Sequence, residues 1–448
     1  MSSDAPDNLH SSPAEIAAAN LADGSARQRE TARLGLFFGL LYFIQGVSEP
    51  TEGLITQPVR SLLKEWGYNA GQIGTFMMLL SVPWVIKPLF GMISDFVPLF
   101  RRRRKSYLML MSAAAAVALI ALYAVPSQRG SAGWLLVVLL VPTIGVAFGD
   151  VVTDALMIER GQPLKITGHL QAVQWGCSYG AMILTGITGG YLSQIGRQDI
   201  SFLLCGLVML PAVLMAALVR EPDYVRRIVT PGQAFADLLD ATRTPGVLAV
   251  GAFLFLWNFN PFSTAVLQLY MTDELKLGQQ FYGTTVSIQA GAMVVASLAY
   301  GLYCRRVRME RLVHGSIVCG ILATIGYWGL FGAMSAVIVA IAVGLTYMTA
   351  TLIQLDLAAQ VCPPRTAGTI FALLMALSNL GTSAGIGIGG YLYDWGAVWF
   401  GSRVASFHVL VGVGATFTAG CWLIVPYLRR PTVEIALANG AESPDSPI

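Results

Sequence analysis

Long apolar runs, interrupted only by single polar residues, recur along almost the whole chain. A helix needs about 20 apolar residues to cross the hydrocarbon core of a bilayer, and the sequence holds twelve runs that are long enough. They cover residues 34–58, 72–98, 106–126, 132–158, 166–194, 200–219, 246–271, 279–303, 312–332, 334–361, 366–393 and 404–428. This pattern predicts an all-α membrane protein with twelve transmembrane helices.

The longest connection between two runs, residues 220–245, contains Glu-Pro-Asp and Pro-Gly and separates six spans from six. Two halves of this kind are typical of transporters built from internal repeats. The predicted domains are a polar N-terminal tail at 1–33, a six-helix bundle at 34–219, a central loop at 220–245, a second six-helix bundle at 246–428 and a C-terminal tail at 429–448.

Lysines and arginines decide the orientation, because loops rich in them stay in the cytoplasm. With the N-terminus inside, 21 of these residues lie on the cytoplasmic side, six lie outside and Lys87 lies within a span. We therefore expect both termini and the central loop in the cytoplasm, and the protein in the cell (plasma or inner) membrane.

Composition narrows the class of function. Hydrophobic residues make up 55% of the chain and charged residues 12%, whereas a soluble domain has about 25% charged residues. The net charge of +3 gives no reason to expect a nucleic-acid partner. The sequence contains no nucleophile with a matched base, no His/Cys metal cluster and no phosphate-binding loop, so we expect neither an enzyme nor a cofactor. The expected partners are the lipid bilayer and a small-molecule substrate, with the protein as a monomer.

Charged side chains near the centre of a bilayer cost at least about 2.5 kcal/mol each, so those inside the spans are candidates for function. In the first span Gln45, Glu49, Glu52 and Thr56 recur at spacings that would lay them on one helical face, and Pro50 predicts a break in the helix. Two carboxylates beside a break indicate a site for a proton or another coupling cation. The alternative is that they are simply hydrated at the outer mouth.

Span two contains Lys87 three residues after Trp84, which places ammonium and indole on one face, between Pro83 and Pro88. Lys87 could bind a substrate anion or form a structural ion pair. Its candidate partners are Glu49, Glu52 and Asp154.

Span four contains Asp150 and Asp154, which share a helical face, so each can favour protonation of the other. One of them is a candidate proton carrier. Glu159 and Arg160 follow near the cytoplasmic end, as gate residues or loop contacts.

Span five contains a second polar stripe, with Gln171 and Gln174 beside Trp175. These side chains could form an amide and aromatic surface for a planar ligand, or they could hydrogen-bond to neighbouring helices.

In the second half, Asn258 and Asn260 precede Pro261 and interrupt span seven, much as Pro50 interrupts span one. Polar breaks at corresponding places in two halves indicate a binding site. Gln354 and Asp356 in span ten, and Asn379 in span eleven, add further polar groups.

A basic loop follows span two. Gly91 and Asp95 precede five consecutive basic residues at 101–105, and Arg305 stands in the equivalent loop of the second half. This arrangement resembles the loop signature of the major facilitator superfamily. We expect a cytoplasmic gate formed by Gly91, Asp95, Arg101, Arg102, Arg103, Arg104, Glu159, Arg160 and Arg305.

More specific motifs resemble the folate-biopterin transporter family of that superfamily. They are Pro-Trp-Val-Ile-Lys-Pro at 83–88, Asp-Val-Val-Thr-Asp at 150–154, Gly-His-Leu-Gln at 168–171, Asn-Pro-Phe-Ser at 260–263, Cys-Pro-Pro at 362–364 and Gly-Thr-Ile-Phe-Ala at 368–372. With Tyr-Phe-Ile-Gln-Gly at 42–46 in the first span, the motifs extend from span one to span eleven, so the resemblance covers nearly the whole chain.

The resemblance implies uptake of folates, pterins or related compounds such as S-adenosylmethionine, driven by protons. The expected substrate-binding residues are Gln45, Trp84, Lys87, Gln171, Gln174, Trp175, Asn258, Asn260, Gln354 and Asn379. The expected proton-coupling residues are Glu49, Glu52, Asp150, Asp154 and Asp356. Because five carboxylates face one lysine, either several carboxylates are protonated at rest or the substrate is neutral or cationic. The alternatives are a major facilitator carrier of another solute, such as a cell-wall fragment or an acyl carrier compound, and a nontransporting receptor.

Overall fold

The computed structural model describes residues 13–125, 131–219, 221, 232–233, 236, 239–240, 243–262, 264–303, 307–362 and 367–438. In the first half the helices are α1 (Pro13–Ser48), α2 (Thr56–Glu65), α3 (Ala70–Leu80), α4 (Val82–Val85), α5 (Lys87–Phe96), α6 (Lys105–Ala124), α7 (Ala132–Leu164), α8 (Thr167–Gln194) and α9 (Gln198–Leu218). In the second half they are α10 (Pro245–Asn258), α11 (Ala265–Leu269), α12 (Gln279–Tyr303), α13 (Met309–Gly326), α14 (Ala333–Gln360), α15 (Ala367–Phe400) and α16 (Arg403–Ala438). A π-helical turn (Tyr270–Glu274) follows α11 and a 3₁₀ turn (Tyr327–Gly329) follows α13.

Each of the twelve predicted spans coincides with one helix or with a broken series of helices. Among the described residues, nine helices are long and apolar enough to cross a membrane by themselves. Helix α8 has 28 residues but carries the polar stripe around Gln174, and it is not one of the nine. Predicted span two is divided into α3, α4 and α5, and predicted span seven into α10 and α11.

The breaks lie where the prolines predict them. Helix α1 ends at Ser48, before Pro50, and α10 ends at Asn258, before Pro261. Pro83 and Pro88 stand in the first turns of α4 and α5, where the missing amide proton costs least. Helix also reaches into both predicted tails, because α1 begins at Pro13 and α16 ends at Ala438.

Each half has its own apolar core. In the first half the core includes Phe38, Leu108 and Phe148, and in the second it includes Phe253 and Leu374. A third cluster joins residues of both halves, with members such as Val59, Phe76, Phe262, Tyr270 and Phe407. The third cluster lies at the end of the molecule opposite the start of α1, and the two halves are therefore in direct apolar contact there.

We call this end, built from α2, the starts of α3 and α12 and the final turns of α8 and α15, the closed end. Its helices touch backbone to backbone, as small residues permit. A Cβ atom added to Gly283 of α12 would stand 2.1 Å from the carbonyl oxygen of Gly186 of α8. One added to Gly74 of α3 would stand 2.6 Å from the carbonyl oxygen of Ile386 of α15. Neither position admits a side chain in this arrangement.

Polar contacts reinforce the closed end. Gln57 Nε2 donates to the Gln279 carbonyl at 2.7 Å, and Gln268 Nε2 donates to Gln279 Oε1 at 3.0 Å. Lys64 of the first half forms an ion pair with Asp273 of the second. The carboxylate of Asp394, on α15, accepts the Gly71 N–H in the first turn of α3 at 2.8 Å.

Candidate functional site

A polar cluster lies at mid-depth in the first half, where α1, α4, α5, α7 and α8 meet. Lys87, the first residue of α5, forms an ion pair with Asp150 of α7, and the two side chains are only 17% and 16% exposed. The ammonium also lies 4.5 Å from the centre of the Trp84 ring, within the range of a cation–π contact.

Lys87 pairs with none of its predicted partners, Glu49, Glu52 and Asp154. Its ion pair is with Asp150, so that prediction is wrong. The break between α4 and α5 brings Lys87 to α7, and helix spacing alone cannot predict which turn of another helix it meets.

The other carboxylate of span four has different partners. Asp154 Oδ1 accepts the Tyr42 hydroxyl at 2.5 Å and the Gln174 amide at 3.1 Å. Both donors are neutral, so protonation of Asp154 would leave neither of them as an unpaired charge. Asp150 and Asp154, on one helical face, therefore have different partners, since Asp150 pairs with an ammonium and Asp154 accepts from neutral groups.

Glu49 occupies the break after α1 and is 6% exposed. Its Oε1 accepts from Thr51 Oγ1 at 2.6 Å and from Trp84 Nε1 at 2.9 Å, and its Oε2 accepts the Glu52 N–H. Glu52 itself is exposed. The buried Glu49, whose carboxylate accepts three hydrogen bonds, does not fit the hydrated alternative, whereas the exposed Glu52 does.

The expected common face of Gln45, Glu49, Glu52 and Thr56 does not form, because α1 ends at Ser48. Gln45 instead turns to α7, where its Nε2 donates to Thr153 Oγ1 at 3.2 Å. Thr56 opens α2, and its hydroxyl donates to the Pro50 carbonyl at 3.2 Å. The proline break that the sequence predicted is what removes the continuous stripe.

The polar stripe of α8 forms the interhelical contact that was one of its two predicted roles, while the ligand surface stays a prediction. Gln174 hydrogen-bonds to Asp154, while Gln171 is exposed. Trp175 stacks on Tyr179 with ring centres 5.8 Å apart. The Tyr179 hydroxyl contacts Met348 Sδ at 2.9 Å, so this aromatic pair borders the second half.

In the second half, Asn258 Nδ2 donates to the Leu254 carbonyl at 2.8 Å and lies 3.4 Å from Gln354 Oε1. Asn260 packs its backbone against α15, since a Cβ on Gly385 would stand 2.7 Å from its nitrogen. These amides surround the break that ends α10.

Two further predicted residues lie on α14 and α15. Asp356 is exposed and accepts the Tyr300 hydroxyl at 2.5 Å. Asn379 Nδ2 donates to the backbone carbonyl of Trp84 at 3.0 Å, which joins the two halves at mid-depth.

The basic loop forms a cluster around Arg104, which is 4% exposed. Its guanidinium donates to Ser94 at 2.6 Å, Asp95 at 2.7 Å and Glu159 at 3.3 Å. Arg103 lies 3.9 Å from both carboxylates. The Glu221 carboxylate accepts the backbone N–H groups of residues 103–105 at 2.9 to 3.1 Å and so caps the start of α6.

The other predicted gate residues surround this cluster. Gly91 faces Val151 of α7 at 3.7 Å, measured from an added Cβ. Arg101 has a left-handed backbone (φ 62°) in the turn closed by the bridge between Leu99 and Arg102, and Arg160 is exposed. Arg305 lies outside the described residues. The contacts described above are all within the first half.

Sequence reasoning missed the tyrosines of the site. Tyr42, Tyr179 and Tyr300 supply hydroxyls to Asp154, Met348 and Asp356 respectively. A tyrosine inside an apolar span indicates that its hydroxyl has a polar partner. The sequence does not show which partner, because in each case it lies on another helix. Across the described ranges, no group of three His, Cys, Asp or Glu side chains could hold a metal ion.

Solved structures with a similar fold are membrane transporters. The nucleoside transporter NupG has a TM-score of 0.65 and 13% identity, with 89% of this chain and 98% of that chain covered. A POT family transporter in complex with 5-aminolevulinic acid has a TM-score of 0.65 and 10% identity, covering 89% and 96%. An inward-facing bacterial homolog of the human lysosomal transporter Spinster has a TM-score of 0.60 and 15% identity, covering 93% and 97%. The chain therefore shares the fold of these transporters.

Curated relatives agree. The folate-biopterin transporter of Synechocystis sp. is 29% identical over 391 residues, covering 79% of this chain and 74% of the relative. A probable folate-biopterin transporter of Arabidopsis thaliana is 23% identical, covering 77% and 85%. Folate transporter 2 of Plasmodium falciparum is 21% identical, covering 77% and 78%. The profile of the BT1 family matches residues 45–425, so this chain is a membrane transporter that belongs to the BT1 family, and its predicted resemblance is confirmed.

Proposed function

We propose that the protein is a secondary active transporter that carries a folate-like or pterin-like heterocyclic metabolite by alternating access, driven by protons. In this proposal the chain crosses the membrane twelve times, both termini lie in the cytoplasm and the closed end faces outside. The basic residues at 101–105 support the orientation, because they lie at the end of the molecule opposite the closed end.

The observation that carries the proposal is the mid-depth cluster of Lys87, Asp150 and Asp154. Charged groups at this depth are costly and mark transport pathways or proton relays. Asp154 accepts only from neutral donors and can bind a proton. The ion pair of Lys87 and Asp150, one helical turn away, can bind a charged part of a substrate.

Features of the surrounding walls support a planar heterocycle. Trp175 and Tyr179 offer a stacked aromatic surface. Gln45 Oε1 and Gln354 Nε2 are buried and have no hydrogen-bond partner among the described residues. An amide oxygen from one half and an amide nitrogen from the other could bind the amino and carbonyl groups of a pterin ring. The relatives named as folate-biopterin transporters support the same class.

The charge balance of the site supports proton coupling. With Lys87 paired to Asp150, the remaining carboxylates of the expected site form no ion pair among the described residues; they are Glu49, Glu52, Asp154 and Asp356. An anionic folate would be repelled unless protons neutralise some of them. We propose Asp154 and Glu49 as the main proton-binding groups. The same excess of carboxylates favours a cationic metabolite, such as S-adenosylmethionine, as the second candidate.

Uptake into proteoliposomes under an imposed pH gradient tests the proposal. Folate, a reduced pterin and S-adenosylmethionine are compared, with empty liposomes and a collapsed gradient as controls. We expect gradient-dependent accumulation of a pterin compound. Accumulation of S-adenosylmethionine alone would select the second candidate. Accumulation that does not depend on the gradient would contradict proton coupling. If none of the three compounds accumulates, the proposed substrate class is wrong.

A further inference from the structure

Trp84 is the point at which three parts of the structure meet. Its indole N–H donates to Glu49 at 2.9 Å, its ring faces the Lys87 ammonium, and its backbone carbonyl accepts from Asn379 of α15 at 3.0 Å. The first two contacts belong to the candidate site of the first half. The third comes from the second half.

The carbonyl of Trp84 is available because of Pro88. In an α-helix the carbonyl of residue 84 would accept the N–H of residue 88, but proline has no N–H to donate. A buried carbonyl without a partner is unfavourable, and the Asn379 amide supplies the missing hydrogen. Pro88 in the first half thus leaves the Trp84 carbonyl free to accept from Asn379 in the second half.

A neighbouring contact supports the same junction. Ser383 lies one turn further along α15 and donates to the Asn379 carbonyl at 2.8 Å. Its hydroxyl also meets the Ser81 hydroxyl, at the end of α3, at 2.7 Å. Asn379 and Ser383 therefore present two polar groups on one face of α15 to the broken segment of span two.

We propose that Asn379 is a positioning residue whose hydrogen bond to Trp84 holds the two halves together while the closed end is closed. The bond links Trp84 to α15 of the second half. The contacts of Trp84 with Glu49 and Lys87 therefore depend on whether the two halves are together. This inference rests on the proposed alternating access and assigns Asn379 a role other than substrate binding.

The test compares Asn379→Leu, Pro88→Ala and the double variant by hydrogen exchange of the full-length protein in lipid nanodiscs without substrate. Pro88→Ala supplies an N–H beside the break between α4 and α5, where it should compete with the Asn379 amide for the Trp84 carbonyl. Each single variant should raise exchange in peptides from α3 and the start of α12 by about fivefold, as the loss of one net hydrogen bond implies. Exchange near residues 159–170, at the other end, should fall.

Because both single changes act on the same contact, the double variant should show no further increase. Pro211→Ala, at a proline inside α9 far from this junction, is the matched control and should change neither end. Additive effects, an unchanged Asn379→Leu protein or a uniform rise at both ends would overturn the proposal. Since no substrate is used, a failed uptake experiment would leave this result unaffected.

Discussion

The ion pair between Lys87 and Asp150 gives a quantitative test of the candidate site. Removing either partner leaves a charge in a largely buried position, whereas removing both leaves none. Lys87→Met, Asp150→Leu and the double variant form a mutant cycle that isolates the interaction. The expected order of stability is wild type and double variant above both single variants.

The magnitudes follow from the surroundings of each group. Loss of one partner of a buried ion pair costs about 3–5 kcal/mol. Asp150→Leu should lie near the lower value, because Lys87 keeps its contact with the Trp84 ring and has Asp154 nearby. Lys87→Met should lie near the upper value, because Asp150 and Asp154 then face each other without a cation. The double variant replaces the pair with apolar groups and should lose less than either single variant.

Thermal unfolding in detergent measures these differences. If the first half unfolds as one unit, each kcal/mol lowers Tm by about 2–4 °C, so the single variants should melt about 6–20 °C below wild type. The matched control is the pair of Arg197 and Asp199, whose side chains are 50% and 45% exposed. Breaking such a surface pair costs at most about 1 kcal/mol.

A double variant that melts as low as the sum of the two single losses predicts would contradict a coupled ion pair. That outcome would mean that Lys87 and Asp150 stabilise the fold independently of each other. It would also contradict the proposal that Asp154 binds its proton beside a stable ion pair of Lys87 and Asp150.

Three further predictions follow from the site and from the closed end. Asp154→Asn should abolish accumulation driven by a pH gradient while substrate exchange across proteoliposome membranes continues, and unchanged accumulation would remove Asp154 from the coupling role. Lys64→Asp should loosen the closed end, which would be measured as faster hydrogen exchange in α2. Adding Asp273→Lys swaps the two charges and should restore slow exchange. If it does not, the ion pair does not hold this end. Gly283→Ala should disrupt the packing of α12 on α8 and lower Tm, whereas Gly291→Ala, where an added Cβ meets nothing within 4 Å, should not, and equal behaviour of the two would contradict the backbone contact.

The features that sequence could predict are those set by neighbours along the chain. Apolar length indicates the spans, and Pro50, Pro88 and Pro261 mark breaks because a missing N–H acts within one helical turn. The carboxylates of span four were recognised because charge inside a long apolar run is visible without knowledge of the fold.

The features that sequence could not predict depend on contacts between helices. The partner of Lys87 is set by how α5 meets α7, and the hydroxyl of Tyr42 finds Asp154 across more than 100 residues of chain. The same local break that was predicted at Pro50 also removed the polar stripe that helical spacing had indicated. Periodicity assumes a continuous helix, and it fails where a proline ends one.

The backbone contact of Gly186 with Gly283 has an electrical consequence. Two helices that touch without intervening side chains leave no room for a file of water, so ions cannot pass between them. If water fills the opposite end, most of the membrane voltage falls across this thin layer of protein. In the proposed cycle a proton that binds Asp154 from one side and leaves to the other crosses the full voltage, which is worth about 2.3 kcal/mol per 100 mV, and the thin layer is where most of that work is done. If the proposed cycle moves net charge, as it does when a proton enters with a neutral or cationic substrate, the membrane potential drives the carrier even where the pH is equal on both sides.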